Sequence, residues 1–246
     1  MNLLAFETST EALSVAVSID GDVRERFELA PRRHAELALP WAEQLLAEAG
    51  IARSQLDVIA VGRGPGAFTG VRLAIALAQG IALALDRPVV PVSTLAALAM
   101  RASMLPRPSA GESWGESQRV LAAIDARMGE VYTAAFALRP DGIHALSDEA
   151  VMAPDQVALP DDENGWIGVG TGFAAAGGVL AQRLESRFSA IDATALPHAA
   201  DVARLAARAF ARGEAVAAEL VEPAYLRNNV ALTIEEQRAL RQSRGS

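Results

Sequence analysis

A strand, a glycine-rich loop and a helix follow one another in DVIAVGRGPGAFTGVRLAIALAQGIALAL, residues 57–85. Residues 57–61, which are apolar after Asp57, have the length and pattern of a buried strand. The segment 71–85 has only three residues that are not apolar: Arg72, Gln79 and Gly80. A helix that is apolar on nearly every side is either wholly buried or packed on a partner as well as on its own sheet. Both arrangements stay open at this point.

The residues before this stretch also have strand and helix patterns. Strands are predicted at 3–6, 13–19 and 23–29, with a hairpin turn at Asp20-Gly21. Residues 34–49 carry apolar side chains at helical spacing, and Gly50 is suited to end that helix. The first part of the chain is therefore predicted to be a mixed sheet with flanking helices.

The second half repeats this plan, which predicts two similar α/β lobes. Residues 119–124 and 131–138 have the pattern of paired strands, and helices are expected at 154–159, 173–186 and 198–212. The segment 105–118 contains two prolines and two glycines, so it is taken as the passage between lobes. We assign 1–104 to the first lobe and 105–222 to the second, and we expect 223–246 to pack back on the first.

The composition excludes several classes of enzyme. The chain has no cysteine, which removes thiolate catalysis, disulfides and iron–sulfur clusters. It also has no lysine, because all 22 basic residues are arginines, and this removes the P-loop lysine and Schiff-base chemistry. The three histidines are too far apart in sequence for a helical metal-ligand pair, so no metal site is expected.

The net charge and the apolar runs bear on partners and on location. A formal net charge of −8 is unfavourable for gripping nucleic acid alone, because arginine and lysine dominate phosphate binding. Arg204, Arg208 and Arg212 are spaced to share one helix face, which is usually a solvated face and alternatively one that approaches tRNA. No apolar run reaches about 20 residues and no signal peptide is recognised, so we expect a cytoplasmic protein without a membrane span.

Two polar segments are candidates for binding a nucleotide or phosphate. A loop between a strand and a helix presents backbone N–H groups where the helix dipole favours an anion. The candidate residues are Glu7, Thr8, Ser9, Gly64, Gly66, Thr69 and Gly70. Alternatively, the glycines only let the helix approach the sheet closely, and the residues after Phe6 only form a turn.

One short motif indicates a hydrolase. Residues 111–115, Gly-Glu-Ser-Trp-Gly, match the G-x-S-x-G pattern of a serine nucleophile elbow. That elbow requires a strand before Ser113 and a helix after it, whereas Pro106 and Pro108 precede it in a loop-like segment. The context therefore argues against a catalytic Ser113.

Four segments together resemble the bacterial TsaB (YeaZ) family. They are LLAFETST at 3–10, HAE at 34–36 followed by Leu39-Pro40, GPGAFTGVR at 64–72, and DARMGEVY at 125–132. PAYLR at 223–227 is similar to the same family, so the likeness covers most of the chain. The segment running from the glycines into Phe68-Thr69-Gly70 is its most specific part.

The resemblance implies a two-lobed actin-like ATPase (ASKHA) fold. It also implies a role in making N6-threonylcarbamoyladenosine at position 37 of tRNAs that read codons starting with A. In that family the protein is the partner of the catalytic subunit TsaD, joined by the ATPase TsaE. This implies a scaffold or activating subunit without intrinsic cofactors, which meets tRNA, ATP and Mg²⁺ through the complex.

The helices at 34–49 and 70–85 are predicted to form the partner surface. The second helix has an apolar side left over after packing on its own sheet, and a contact of two helices from each protein covers it. The residues predicted to lie in this interface are His34, Leu37, Trp41, Val71, Ala74, Leu77, Ala78 and Ile81. In the lone protein the same surface is able to form a two-fold homodimer.

A second hypothesis comes from another functional class. In a free-standing kinase or ATPase of the actin-like superfamily, Glu7, Thr8 and Thr69 would bind ATP and magnesium, and Asp125 would be the candidate base. A peptidase or hydrolase is a third hypothesis, supported by Ser113 and by distant kinship within the superfamily. Binding and turnover of MgATP by the lone protein separate the first two hypotheses.

Overall fold

A computed structural model of the chain describes residues 1–105 and 117–227. It contains two mixed sheets with flanking helices, which confirms the predicted α/β fold. The first sheet has the strand order β3-β2-β1-β4-β5. Its strands are β1 (Asn2–Glu7), β2 (Ala12–Ile19), β3 (Asp22–Leu29), β4 (Val58–Gly62) and β5 (Val89–Val92).

The pairing of β1 decides where the polar segments meet. It runs antiparallel to β2, with Leu4 opposite Val17, and parallel to β4, with Leu4 opposite Ile59. Because parallel strands end at the same edge of a sheet, Glu7 at the end of β1 lies beside Gly62 at the end of β4.

Two long helices cover one face of this sheet: α1 (His34–Ala49) and α2 (Phe68–Leu85). Alternate side chains of β1, including Leu4 and Phe6, pack with them in one apolar core. Helix α1 continues through Pro40 and ends, as predicted, at Gly50 in the left-handed conformation with a φ of 70°. Helix α2 starts three residues earlier than the predicted 71–85, at Phe68.

The second sheet has the order β11-β10-β6-β7-β8, and β9 also pairs with β7. Its strands are β6 (Gln118–Arg127), β7 (Glu130–Arg139), β8 (Gly142–Ala145), β9 (Ala150–Met152), β10 (Trp166–Val169) and β11 (Phe188–Asp192). The short helix α3 (Thr94–Ala99) packs against β6 and shares an apolar core with it. This helix joins the first lobe to the second.

The helices predicted at 154–159 and 173–186 are wrong. The first of these segments contains only a turn, and the second contains 3₁₀ turns followed by the five-residue helix α4 (Val179–Arg183). Ala176 and Gly177 interrupt the second segment because their φ angles of 49° and 74° lie in the left-handed region. The glycine-rich stretch therefore forms a turn instead of a continuous helix.

The position of the last helix differs from the predicted division into lobes at residues 1–104 and 105–222. Helix α5 (Ala199–Ala211), predicted at 198–212, was assigned to the second lobe, yet it packs on the free face of the first sheet. Its alanines, among them Ala203 and Ala206, meet Ala5 and Ala60 of the strands. These small side chains allow a close approach of helix and sheet. Because α5 lies on the first sheet, the chain returns to the first lobe well before residue 223.

The segment after α5 stays on the first lobe. Val216 pairs with Val89 of β5, and Ala218 and Val221 join the core beneath α2. The Ala224 N–H donates to the carbonyl of Arg63, so the start of the predicted returning segment does contact the first lobe. The rest of that segment, 228–246, lies outside the described residues, as does most of the predicted linker with Ser113.

Candidate functional site

Glu7 is the centre of the polar cluster at the ends of β1 and β4. Its side chain is buried, with 1% of its surface exposed. Oε1 accepts from the Ser9 N–H at 2.7 Å, and Oε2 accepts from the Thr94 hydroxyl at 3.0 Å. The Thr94 oxygen in turn accepts from the Gly64 N–H at 3.2 Å and lies 3.1 Å from the Ser9 hydroxyl. Each oxygen of the carboxyl group therefore has a partner within the protein.

Burial raises the pKa of the Glu7 carboxyl group above its ordinary value of 4.5. The hydrogen bonds from Ser9 and Thr94 act in the opposite direction and offset only part of this effect. The environment thus favours the neutral acid more than water does.

Thr94 lies at the start of helix α3 but does not cap it. The cap is Ser93, whose side chain accepts from the Ala96 N–H. Thr94 is the first residue of the helix, and its hydroxyl is directed to Glu7 instead. No local sequence pattern indicates this contact, because 87 positions separate the two residues.

The glycines of the loop allow it to lie directly on the turn after β1. A Cβ atom on Gly62 would overlap Oε2 of Glu7, and one on Gly70 would overlap the carbonyl oxygen of Thr8. A Cβ on Gly66 would come within 2.6 Å of Cβ of Ser9. These distances support the interpretation in which the glycines allow a close approach, because the loop lies directly against the turn after β1.

Hydrogen bonds join the loop and the turn. The Thr8 hydroxyl donates to the Gly70 carbonyl at 2.6 Å, and the Ala67 N–H donates to the Ser9 carbonyl at 2.7 Å. Of the seven candidate phosphate-binding residues, six meet in this contact: Glu7, Thr8, Ser9, Gly64, Gly66 and Gly70. Thr69 is exposed at the start of α2.

The remaining polar candidate, Asp125, lies in the second lobe near the end of β6. Its carboxylate accepts from the N–H and from the guanidinium of Arg127, and its own N–H donates to the Thr171 hydroxyl. It is thus part of the turn into β7. Within residues 1–105 and 117–227, no group of three or more acidic or histidine side chains is arranged to hold a metal ion.

The contacts between the lobes were not predicted from the sequence. Glu149 of the second lobe bonds to the Ser93 hydroxyl and to the Arg63 guanidinium, the latter at 3.1 Å. Arg227, near the end of the described chain, bonds to Glu130 and to the Ala126 carbonyl. The contacts of Glu149 tie the lobes together close to the Glu7 cluster, because Ser93 precedes Thr94. Each of the four contacts joins residues more than 50 positions apart.

The structure corrects three members of the predicted partner interface. Val71, Ala74 and Ala78 are buried in the core between α2 and the first sheet, so they do not face a partner. The other predicted members are half-buried at the edges of α1 and α2: His34, Leu37, Trp41, Leu77 and Ile81. The reason is that a helix apolar all round gives no sequence signal for which side faces inward.

The outer face of α2 is formed by other residues, which we call the α2 outer face. Phe68 is 58% exposed and Leu83 is 64% exposed, and between them lie the exposed residues Arg72, Ala76 and Gly80. This face is mostly apolar. Only 28% of the helix is buried, although its mean hydropathy is 1.7 and it is long enough to cross a membrane. Core helices of soluble proteins can have the same length and hydropathy, and the inner side of α2 packs in such a core.

An aromatic cluster stands at one end of this face. The Arg72 guanidinium lies 3.6 Å above the centre of the Phe68 ring, and Tyr225 stacks on Phe68 at 5.8 Å. Arg72 also donates to the Tyr225 hydroxyl. The stack fixes the segment after α5 against the start of α2, where the aromatic rings remain partly exposed.

Comparison with known proteins gives a consistent result. The family model described as TsaD, tRNA N6-adenosine threonylcarbamoyltransferase, matches residues 27–234. The chain is 42% identical to tRNA threonylcarbamoyladenosine biosynthesis protein TsaB of Escherichia coli K12, over 94% of this chain and 96% of the relative. It is 37% identical to the protein of the same name from Haemophilus influenzae, over 94% and 95%.

Solved structures agree with this. YeaZ from Pseudomonas aeruginosa is 48% identical to the chain, with a TM-score of 0.81, and the match covers 92% of this chain and 99% of the other. A second structure, described as a protein from Pseudomonas aeruginosa with similarity to peptidase YEAZ, has a TM-score of 0.82 at 47% identity with the same coverage.

Proposed function

The chain belongs to the TsaB (YeaZ) family, and from this membership we propose that it is a non-catalytic subunit of tRNA threonylcarbamoyladenosine biosynthesis. It acts as scaffold and activator for a TsaD-like catalytic subunit, together with a TsaE-like ATPase. The complex transfers a threonylcarbamoyl group to N6 of adenosine 37 in tRNAs that read codons starting with A. The names of the curated relatives support the pathway.

The observation that carries the subunit role is the α2 outer face. Large apolar side chains on it, including Leu83, remain exposed, and a helix of such composition is normally covered. A partner that adds two of its own helices against α1 and α2 covers them. In the lone chain a second copy does the same in a two-fold homodimer, which competes with the partner.

The Glu7 cluster supports a non-catalytic role. Glu7, Thr8, Ser9 and Thr94 bond to one another and to the loop, and Glu7 favours its neutral form. In this arrangement the side chains hold the loop against the turn. We therefore assign no cofactor to the chain itself, and ATP and Mg²⁺ enter through the partner subunits.

Charge supports an indirect role in tRNA binding. With a formal net charge of −8, the chain opposes the phosphate backbone unless a basic partner contributes. We propose that tRNA is reached through the complex and that the protein works in the cytoplasm.

Pull-down and calorimetry with the TsaD-like subunit test the proposal. Leu83→Glu places an unpaired charge in the proposed contact, so we expect binding to weaken at least about tenfold. Leu146→Glu is the matched control, because Leu146 is an exposed leucine of the second lobe. Equal, tight binding by both variants, each folded by circular dichroism, would show that the interface lies elsewhere.

The kinase or ATPase hypothesis is tested on the lone protein. Titration with MgATP is expected to show neither clear binding nor turnover if the chain is a partner subunit. Clear binding followed by turnover, lost in Thr69→Ala or Asp125→Asn, would replace the subunit proposal with the enzyme.

A further inference from the structure

A cavity between the lobes lies far from the Glu7 cluster. It has a volume of about 610 Å³ and is lined by the β2–β3 hairpin, the β7–β8 hairpin, the start of β6 and helix α5. Ser18 in its wall pairs with Leu3, near the beginning of β1, whereas Glu7 ends that strand. Four residues of an extended strand span about 13 Å. The cavity is therefore at the opposite edge of the first sheet from the glycine loop.

Arginines are concentrated in the wall of this cavity, although the whole chain is acidic. Arg139 ends β7, directly opposite Gly142 in the hairpin, and Arg208 projects from α5 towards the same glycine. Nη1 of Arg208 lies 3.1 Å from the position that a Cβ on Gly142 would occupy. The Arg208 guanidinium group thus reaches the turn that Arg139 begins, so the two arginines lie beside one turn on different elements.

Neither Arg139 nor Arg208 forms an ion pair with any residue in 1–105 or 117–227. A third arginine in the wall, Arg204, is held by Asp201 at 2.8 Å, and Asp201 also binds Arg101. Asp141, in the turn after Arg139, is bonded to His144 at 3.0 Å, and the nearby charge of Arg139 is one of the smaller causes of its lowered pKa. Among the described residues, the cavity wall therefore carries two guanidinium groups that have no salt bridge, Arg139 and Arg208.

The other wall residues add two kinds of contact. Leu138, Ile143 and Leu205 give the cavity an apolar side. Gln118 supplies an amide group, which is able to bond to a hydroxyl group of a ligand.

We propose that this cavity binds a small hydroxylated phosphate ester, with Arg139 and Arg208 on the phosphate and Gln118 on a hydroxyl group. The guanidinium fork matches phosphate oxygens, and two such groups match the charge of a phosphate monoester, about −1.5 to −2 at neutral pH. Cavities of 300–1,000 Å³ are the usual size for small-molecule sites. The site joins both lobes, so its ligand holds them in one arrangement.

Calorimetry on the full chain with ribose 5-phosphate tests the proposal, and ribose serves as the uncharged comparison. We expect saturable binding of one molecule per chain, and binding of ribose at least about tenfold weaker. Absence of saturable binding of ribose 5-phosphate at millimolar concentration overturns the proposal. Equal binding of ribose overturns it as well.

Variants locate the site. Arg139→Gln and Arg208→Gln each remove one phosphate contact and are expected to weaken binding about tenfold or more. Arg212→Gln is the matched control, since Arg212 follows the same helix and does not line the cavity. Ala207→Leu fills the cavity from α5 without changing charge, and it is expected to block binding. Binding of ribose 5-phosphate unchanged in these three cavity variants would show that it occupies another place.

This proposal is independent of the subunit role, because the substituted residues lie away from the α2 outer face. Binding of the TsaD-like subunit is measured in parallel on the same variants. Retained subunit binding with lost ribose 5-phosphate binding is the expected combination. Loss of the two together in a folded Arg208→Gln variant contradicts a separate site.

Discussion

The carboxyl group of Glu7 and the hydroxyl group of Thr94 lie 3.0 Å apart, although the two residues stand at the end of the first strand and the start of the third helix. Gly62 lies beside them, and any side chain there would occupy the place of the Glu7 carboxyl group. The glycine loop, the first turn and α3 are therefore held together through one buried acid. This arrangement gives the site a pH dependence.

Glu7→Gln is expected to change how stability depends on pH. Because the pKa of Glu7 is raised on folding, its contribution to stability is fully present below the ordinary value of 4.5 and is lost as the pH rises through the folded-state pKa. The glutamine side chain does not titrate. The unfolding free energy of Glu7→Gln should therefore increase relative to that of the unsubstituted protein as the pH rises. Urea unfolding of both proteins from pH 4 to pH 9 measures this. A constant difference across that range would contradict it.

Gly70→Ala is expected to destabilise the protein, since the added Cβ overlaps the Thr8 carbonyl oxygen. Overpacking of this kind costs about 1–3 kcal/mol. Gly80→Ala on the same helix is the control, because nothing lies within 4 Å of a Cβ there. It should stabilise the protein by about 0.5–1 kcal/mol through helix propensity. Thermal unfolding of both variants would show opposite shifts.

Ala74→Asp and Leu83→Asp should separate the two sides of α2. Ala74 is wholly buried against the first sheet, so a carboxylate there is expected to cost several kcal/mol of folding stability. Leu83 is exposed, and its substitution should change stability by less than about 0.5 kcal/mol. Denaturant midpoints test this directly. Similar midpoints for the two variants would place Ala74 outside the core.

Glu149→Gln is expected to loosen the contact between the lobes. The carboxylate of Glu149 binds Arg63 and Ser93, and it is largely shielded from solvent. Its replacement by an amide should lower stability by about 1 kcal/mol and speed amide hydrogen exchange in α3. Glu185→Gln, in a turn of the second lobe, is a suitable comparison. Unchanged exchange in α3 would show that Glu149 does not hold the lobes.

Local patterns predicted most strands and the long helices. The apolar runs of β1 and β4 and the glycine after α1 act within a few residues, and such signals can be read from the sequence. The orientation of α2 could not be predicted, because its apolar residues surround the whole helix. Its inner side became clear only from the strands beneath it.

Contacts between distant residues were beyond the sequence patterns. The candidate residues Glu7, Thr8 and Gly70 were identified, but their bonding to one another, and the part of Thr94, depend on strand order. Helix α5 was predicted within one residue, since its alanines and arginines alternate with helical spacing. That pattern predicts which side of the helix is apolar, but it does not predict which sheet this side covers.

The placement of α5 also affects the order in which the chain is made. One face of the first sheet, with Leu3, Ala5 and Val58, packs mainly against a helix that begins at Ala199, together with Ala97 of α3. On the ribosome that helix is synthesised after the strands of both sheets, so most of this face stays uncovered meanwhile. The second sheet, from Gln118 to Asp192, is complete earlier. We therefore expect the amino-terminal lobe to finish folding after the second sheet during translation, the reverse of the usual order.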